Sequence, residues 1–149
     1  MQNEIYKIVK IHICNFEKKD DCLKVNLNDF PERLCVIDNK NDVVIDVETK
    51  HKYPYIRTIS MMYFLNEMEA KKITIGKRVA CFEYSFLSLS RLNSKELIEC
   101  EKIIESLKQG IQYPDGNDIL TNEQYLALIN KTKIHEEPIK TLKKRKKRK

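Results

Sequence analysis

Two hydrophobic periodicities divide this chain. Over the first third, apolar and polar residues alternate with period two; further on, apolar residues recur at helical spacing. Residues 4–14 place Ile5, Val9, Ile11 and Ile13 on one face, interrupted by Lys7, Lys10 and His12, which predicts a strand. Glu17–Asp21 reads as a charged turn, and Cys22–Leu27 as a second strand with Leu23, Val25 and Leu27 inward. Asn28–Pro31 breaks that run. Arg33–Asp38 and Val43–Thr49 form two more strands joined by Asn39–Asp42, whose Asn and Asp suit hairpin turns. In the second of these, Val43, Ile45 and Val47 face one way and Asp46 and Glu48 the other. Lys52–Ile56 adds a short strand that Pro54 confines to an edge or an end.

The period then changes. Thr58–Lys72 is apolar nearly all round at Ile59, Met61, Met62, Tyr63, Phe64, Leu65 and Met68, the pattern of a helix in the middle of a core. Residues 73–90 mix both signals; a strand to about Tyr84 followed by a turn or short helix is the expectation. Asn93–Gln109 is a helix with Asn93 and Glu96 as a reciprocal cap. Its apolar stripe is Leu97, Cys100, Ile104, Leu107 and Ile111, and Gly110 terminates it. Pro114–Gly116 makes a tight turn, and Thr121 with Gln124 caps a last short helix. The fold class that follows is α+β: an N-terminal antiparallel β-meander or small barrel packed against the two main helices, 58–72 and 93–109. One domain spans 1–137, and a disordered basic tail spans 138–149.

Charge changes this picture most. The last ten residues, KTLKKRKKRK, hold eight of the 28 Lys and Arg and none of the 22 Asp and Glu. Without them the body carries 20 basic against 22 acidic residues, so a faintly anionic globule bears a strongly cationic end. Self-repulsion predicts that this end is disordered in isolation. Its cations, Lys140, Lys143, Lys144, Arg145, Lys146, Lys147, Arg148 and Lys149, suit the phosphates of nucleic acid or a ribonucleoprotein, and give affinity with little sequence information. A nuclear address, an acidic membrane or protein surface, and a merely solubilising tail are the competing uses. With no aromatic residue, the tail does not stack on bases. Lys71, Lys72, Lys77 and Arg78 form a second basic cluster, read as a nucleic-acid patch against the plainer alternative of a solvated loop. Tyr53 and Tyr55 flank Pro54 and are the candidate partner-binding anchors, if they reach the surface.

Composition narrows the class further. At 149 residues the chain is one domain or one domain with an appendage. No apolar run is long enough for a transmembrane segment, and the N-terminus lacks the pattern of a signal sequence, so a cytoplasmic protein is expected, nuclear in a host with a nucleus. Five cysteines, none in a C-x-x-C pair, read as reduced core thiols. Plentiful Lys, Ile and Asn with only 3 Gly and 3 Ala suggest an AT-rich genome, such as that of a low-GC bacterium, its phage or a mobile element.

Catalytic and metal motifs are wanting. His12 and Cys14 would be half a zinc site with no second pair at finger spacing. Asp115–Asp118 lacks the spaced ligands of a calcium loop, and Ile75–Lys77 lacks the first glycine of a phosphate loop. No cofactor, metal or catalytic residue is expected. The leading expectation is a non-enzymatic, nucleic-acid-associated accessory protein. The alternative is a small inhibitor or regulator from a phage or mobile element, binding a host protein through the globular body.

Overall fold

A computed structural model describes residues 5–20, 22–84 and 91–136. The chain divides into two compact units, 1–119 and 120–149, where the sequence places its boundary after 137. The predicted turn or short helix after Tyr84 and the polybasic segment lie outside the described residues.

The first unit is built on a five-stranded antiparallel sheet of order β6-β5-β4-β1-β7, formed by β1 (Tyr6–Cys14), β4 (Glu32–Asp38), β5 (Val43–Asp46), β6 (Lys52–Pro54) and β7 (Val79–Tyr84). It curls into a half-barrel: a parallel bridge joins Tyr55, just past β6, to Ala80 of β7, and the Ile56 amide donates to the Ala80 carbonyl at 2.9 Å. The α+β class read from the sequence is thus observed, its N-terminal antiparallel sheet curled into a half-barrel and not laid out as a simple meander.

Register explains which residues meet. Ile8 pairs with Val36, which pairs with Ile45, so all three share one face. Helix α2 (Ser94–Lys108) covers this face, packing Cys100 and Ile103 on Val36, Ile45 and Val47. Its capping box is as expected: the Glu96 amide donates to Asn93 Oδ1 at 2.7 Å, and the Asn93 amide to Glu96 Oε1 at 3.1 Å. On the opposite face lie the buried Val9, Ile11, Ile13, Cys35, Ile37, Val44 and Tyr53. Phe64 of helix α1 (Met61–Ala70) stacks 4.4 Å from Phe16 and 5.8 Å from Phe82. Phe82 adopts φ +60° beside a register shift in the β1–β7 ladder, which breaks that strand's alternation. Such a φ is rare for a bulky side chain and is held by the aromatic cluster.

Two local expectations need correction. Glu17–Lys19 is not a turn but strand β2, paired with β3 (Cys22–Lys24) in a separate two-stranded hairpin. The hairpin stands apart from the main sheet, so Leu23 and Val25 are only half-buried and Leu27 is exposed. Asp46 takes the face opposite Ile45, as the alternation predicts, and is covered there. Fully buried, it accepts from Arg33 Nε at 2.6 Å and from the Glu48 and Thr49 amides, which ends β5. Helix α1 is not wrapped by core: Phe64 and Met68 are buried, but Met62 and Tyr63, and Ile59 just ahead of the Ser60 N-cap, face outward.

Helix α3 (Gly116–Ile119) follows the Asp115 turn, in which Asp115 Oδ1 accepts from the Asn117 amide at 2.8 Å. The second unit holds helix α4 (Asn122–Glu136), opened by the expected reciprocal cap. The Gln124 amide donates to Thr121 Oγ1 at 3.1 Å and the Thr121 amide to Gln124 Oε1 at 2.8 Å.

Candidate interaction surface

The second basic cluster does not survive folding as one patch. Lys72 and Lys77 are exposed, as a phosphate-binding role requires. Lys71 is engaged: its Nζ donates to the Tyr55 carbonyl at 2.6 Å and lies 2.7 Å from both Asp42 and Glu67. Arg78, read as a phosphate contact, is a correction outright, being 1% exposed. Its Nη2 donates to the Gly116 carbonyl at 2.8 Å, its guanidinium lies 5.8 Å from the centre of the Tyr53 ring, and its amide donates to Asn117 Oδ1 at 2.9 Å. A guanidinium sealed under the Asp115–Asn117 turn cannot reach a polyanion without unfolding it.

The tyrosine anchors also turn inward. Tyr53 is wholly buried and Tyr55 nearly so, because the curl of the sheet closes over Pro54. Burial pushes the Tyr53 phenol up to about 12, partly offset by Arg78. The Tyr55 hydroxyl donates to Glu83 Oε1 at 2.7 Å, and burial together with that carboxylate raises its pKa. Tyr55 also carries the Arg57 guanidinium 4.7 Å above its ring.

These groups form a continuous polar strap across β4–β5, β6 and α1. Arg57 donates to Asn39 and Asp42, and the Arg57 and Thr58 amides donate to Glu67 at 2.9 Å each. Burial works against the Glu67 carboxylate, but Lys71, Thr58 and the two amides outweigh it and bring its pKa down to about 2. Glu83 is held below its ordinary value in the same way: burial opposes ionisation, and the hydrogen bonds from Lys7 and Tyr55 overcome it. The strap fixes the entry to α1 and so sets the angle at which the helix presents its outer side.

That outer side is the feature the sequence did not disclose. Ile59, Met62 and Tyr63 are 80%, 75% and 56% exposed, a strip that runs from the segment just ahead of the Ser60 N-cap onto the first turn of α1. Beside it a shallow groove of about 450 Å³ is lined by Leu23, Lys24, Val25, Leu27, Met61 and Phe82. The available signal was the absence of charge from Thr58 to Asn66 in a chain that is 34% charged. It says that the segment avoids water, not which side of it the protein covers.

Among the described residues no three His, Cys, Asp or Glu side chains come together as metal ligands. The His12 Nδ1 meets the Phe30 carbonyl at 2.6 Å, although the β1–β7 register sets His12 opposite Cys81. Burial raises the pKa values of Cys35, Cys81 and Cys100, with the neighbouring Cys14 thiol adding to the effect at Cys81. Among the described residues no helix is long and apolar enough to cross a membrane. Comparison with family models, with curated proteins and with solved structures returns no match for this chain.

Proposed function

We propose that this protein is a non-enzymatic accessory protein of nucleic acid or of a ribonucleoprotein. The observation that carries this reading is the segregation of charge: eight cations in Lys140–Lys149 on a body that is otherwise slightly anionic. Such an end binds phosphates by releasing their counterions, and supplies affinity and fast association rather than sequence choice. Lys72 and Lys77 can add two contacts from the body; Lys71 and Arg78 are committed elsewhere. The reading places the protein in the cytoplasm, or in the nucleus of a host that has one. The test is the 260/280 nm absorbance ratio of the purified full chain before and after a high-salt wash. A ratio that starts high and falls supports the reading; a protein free of nucleic acid at low salt contradicts it.

A second reading is favoured by the stripe of Ile59, Met62 and Tyr63: a protein-binding regulator, of the kind phages and mobile elements encode, whose body does the work. A stoichiometric protein retained after nuclease treatment supports it.

A further inference from the structure

We infer that the outer side of α1 and the adjoining groove form a docking site for one amphipathic helix of a partner protein, bearing an acidic residue opposite Lys24. The inference deepens the second reading and is independent of the polybasic end.

The argument begins with shape. Met62 and Tyr63 on the first turn of α1, with Ile59 just ahead of the Ser60 N-cap, leave an exposed apolar strip beside a groove, the surface that helix-in-groove recognition uses. Met61 links the strip to the groove, because it is partly exposed on α1 and also lines the cavity. A helix lying along α1 could therefore cover the stripe and insert a side chain between Leu23, Val25, Leu27 and Phe82. Two exposed methionines give the surface adaptable, polarisable side chains of the type that accept helical ligands.

Area separates this occupant from a second copy of the chain. The exposed stripe offers apolar surface on the order of 400 Å². A stable pairwise interface uses roughly 800 Å² from each partner. Two copies meeting stripe to stripe fall short, whereas a helix that also fills the groove gains the groove walls. Charge separates them again. Among the described residues Lys24 is the one charged side chain lining the groove, and a second copy has no acid from Thr58 to Asn66 to offer it. A bilayer is disfavoured because a flat surface leaves a concave groove unfilled.

The test uses a displayed library of random peptides about 16 residues long, roughly 24 Å of helix. The library is panned against the full chain with excess heparin to occupy the polybasic end. The expected ligands carry apolar residues at i, i+3 or i+4, and i+7, with an acid between them. Their affinity should fall about thirtyfold or more in Met62→Glu, a surface change that leaves the core intact. It should fall about three- to tenfold in Lys24→Glu, and exchanging the peptide's acid for lysine should restore it. Enriched peptides without helical spacing would overturn the inference while leaving a protein-binding body in place. Peptides that bind wild type and Met62→Glu equally, or no enrichment, would overturn both. A wild-type dimer in sedimentation that Met62→Glu dissociates would assign the surface to a second copy. Flotation with anionic phospholipid vesicles that Met62→Glu abolishes would assign it to a membrane. Either result contradicts the helix.

Discussion

Lys71 holds its ammonium 2.7 Å from the Asp42 carboxylate, so a lysine that the sequence groups with a basic patch is spent inside the fold. It bridges Asp42 on the β4–β5 hairpin to Glu67 on α1, and caps the Tyr55 carbonyl besides. Lys71→Met should therefore cost about 1–3 kcal/mol of stability, since it strands partly covered carboxylates. Lys77→Ala, at an exposed position, should stay within about 0.5 kcal/mol. Urea unfolding of both variants is the measurement. Equal costs would show that the Asp42–Lys71–Glu67 bridge contributes nothing.

Glu67 gives the fold a defined response to acid. Its folded-state pKa of about 2 lies below the ordinary 4.5, so its contribution is complete above the ordinary value and lost as pH falls through the folded one. Stability should decline between about pH 4.5 and pH 2, with on the order of 1–2 kcal/mol attributable to this group. Glu67→Gln should start less stable at pH 7 and show a shallower decline over that window. Parallel denaturation curves at pH 6 and pH 3 check it; an identical pH dependence in the two proteins would contradict the strap.

Gly116 is needed for its missing side chain. A Cβ there would collide with the Cζ and hydroxyl of Tyr53, whose ring is wedged in a fully buried site beside Arg78. Gly116→Ala should cost about 2–3 kcal/mol through overpacking. The loss should fall sharply in the double variant Gly116→Ala with Tyr53→Leu, where the clashing ring is absent. Thermal melts of the two single variants and the double one decide this; additive losses would place the cost of Gly116→Ala outside the Tyr53 contact.

How far the sequence discloses this molecule depends on whether a property is local. The strand-like runs at 4–14, 33–38 and 43–49 and the Asn93–Glu96 cap became strands over 6–14, 32–38 and 43–46 and a helix, because pairing and capping use neighbouring residues. What could not be read depends on contacts across the chain. That the Asp46 carboxylate is buried is not legible until Arg33, 13 positions earlier, is placed beside it. Arg78 looks like a surface cation until Gly116 and Asn117 close over it from 38 and 39 positions away. Tyr53 and Tyr55 look free beside a proline until the sheet curls. The α1 stripe was legible as apolar, but which half of the helix the protein itself covers is set by the Phe16–Phe64–Phe82 cluster.

The cysteines should behave as core residues. Cys14, Cys35, Cys81 and Cys100 are buried free thiols, and burial disfavours the thiolate at Cys35, Cys81 and Cys100. Alkylation of native protein at pH 8, read peptide by peptide in a mass spectrometer, should leave these four unmodified over a time in which denatured protein reacts fully. Rapid native modification of Cys81 would contradict its place between β1 and the curled edge of the sheet.

Charge segregation is the claim on which the proposed function depends, and the salt dependence of nucleic-acid binding tests it most directly. Affinity for duplex DNA is measured across a range of salt for the full chain and for a chain ending at Ile139. Eight engaged cations would give a slope of log affinity against log salt as steep as about −7, from roughly −0.9 per phosphate. The account predicts a slope between about −4 and −7 for the full chain, and loss of most of it in the shortened one. Equal slopes for the two chains would place binding in the body and contradict the account.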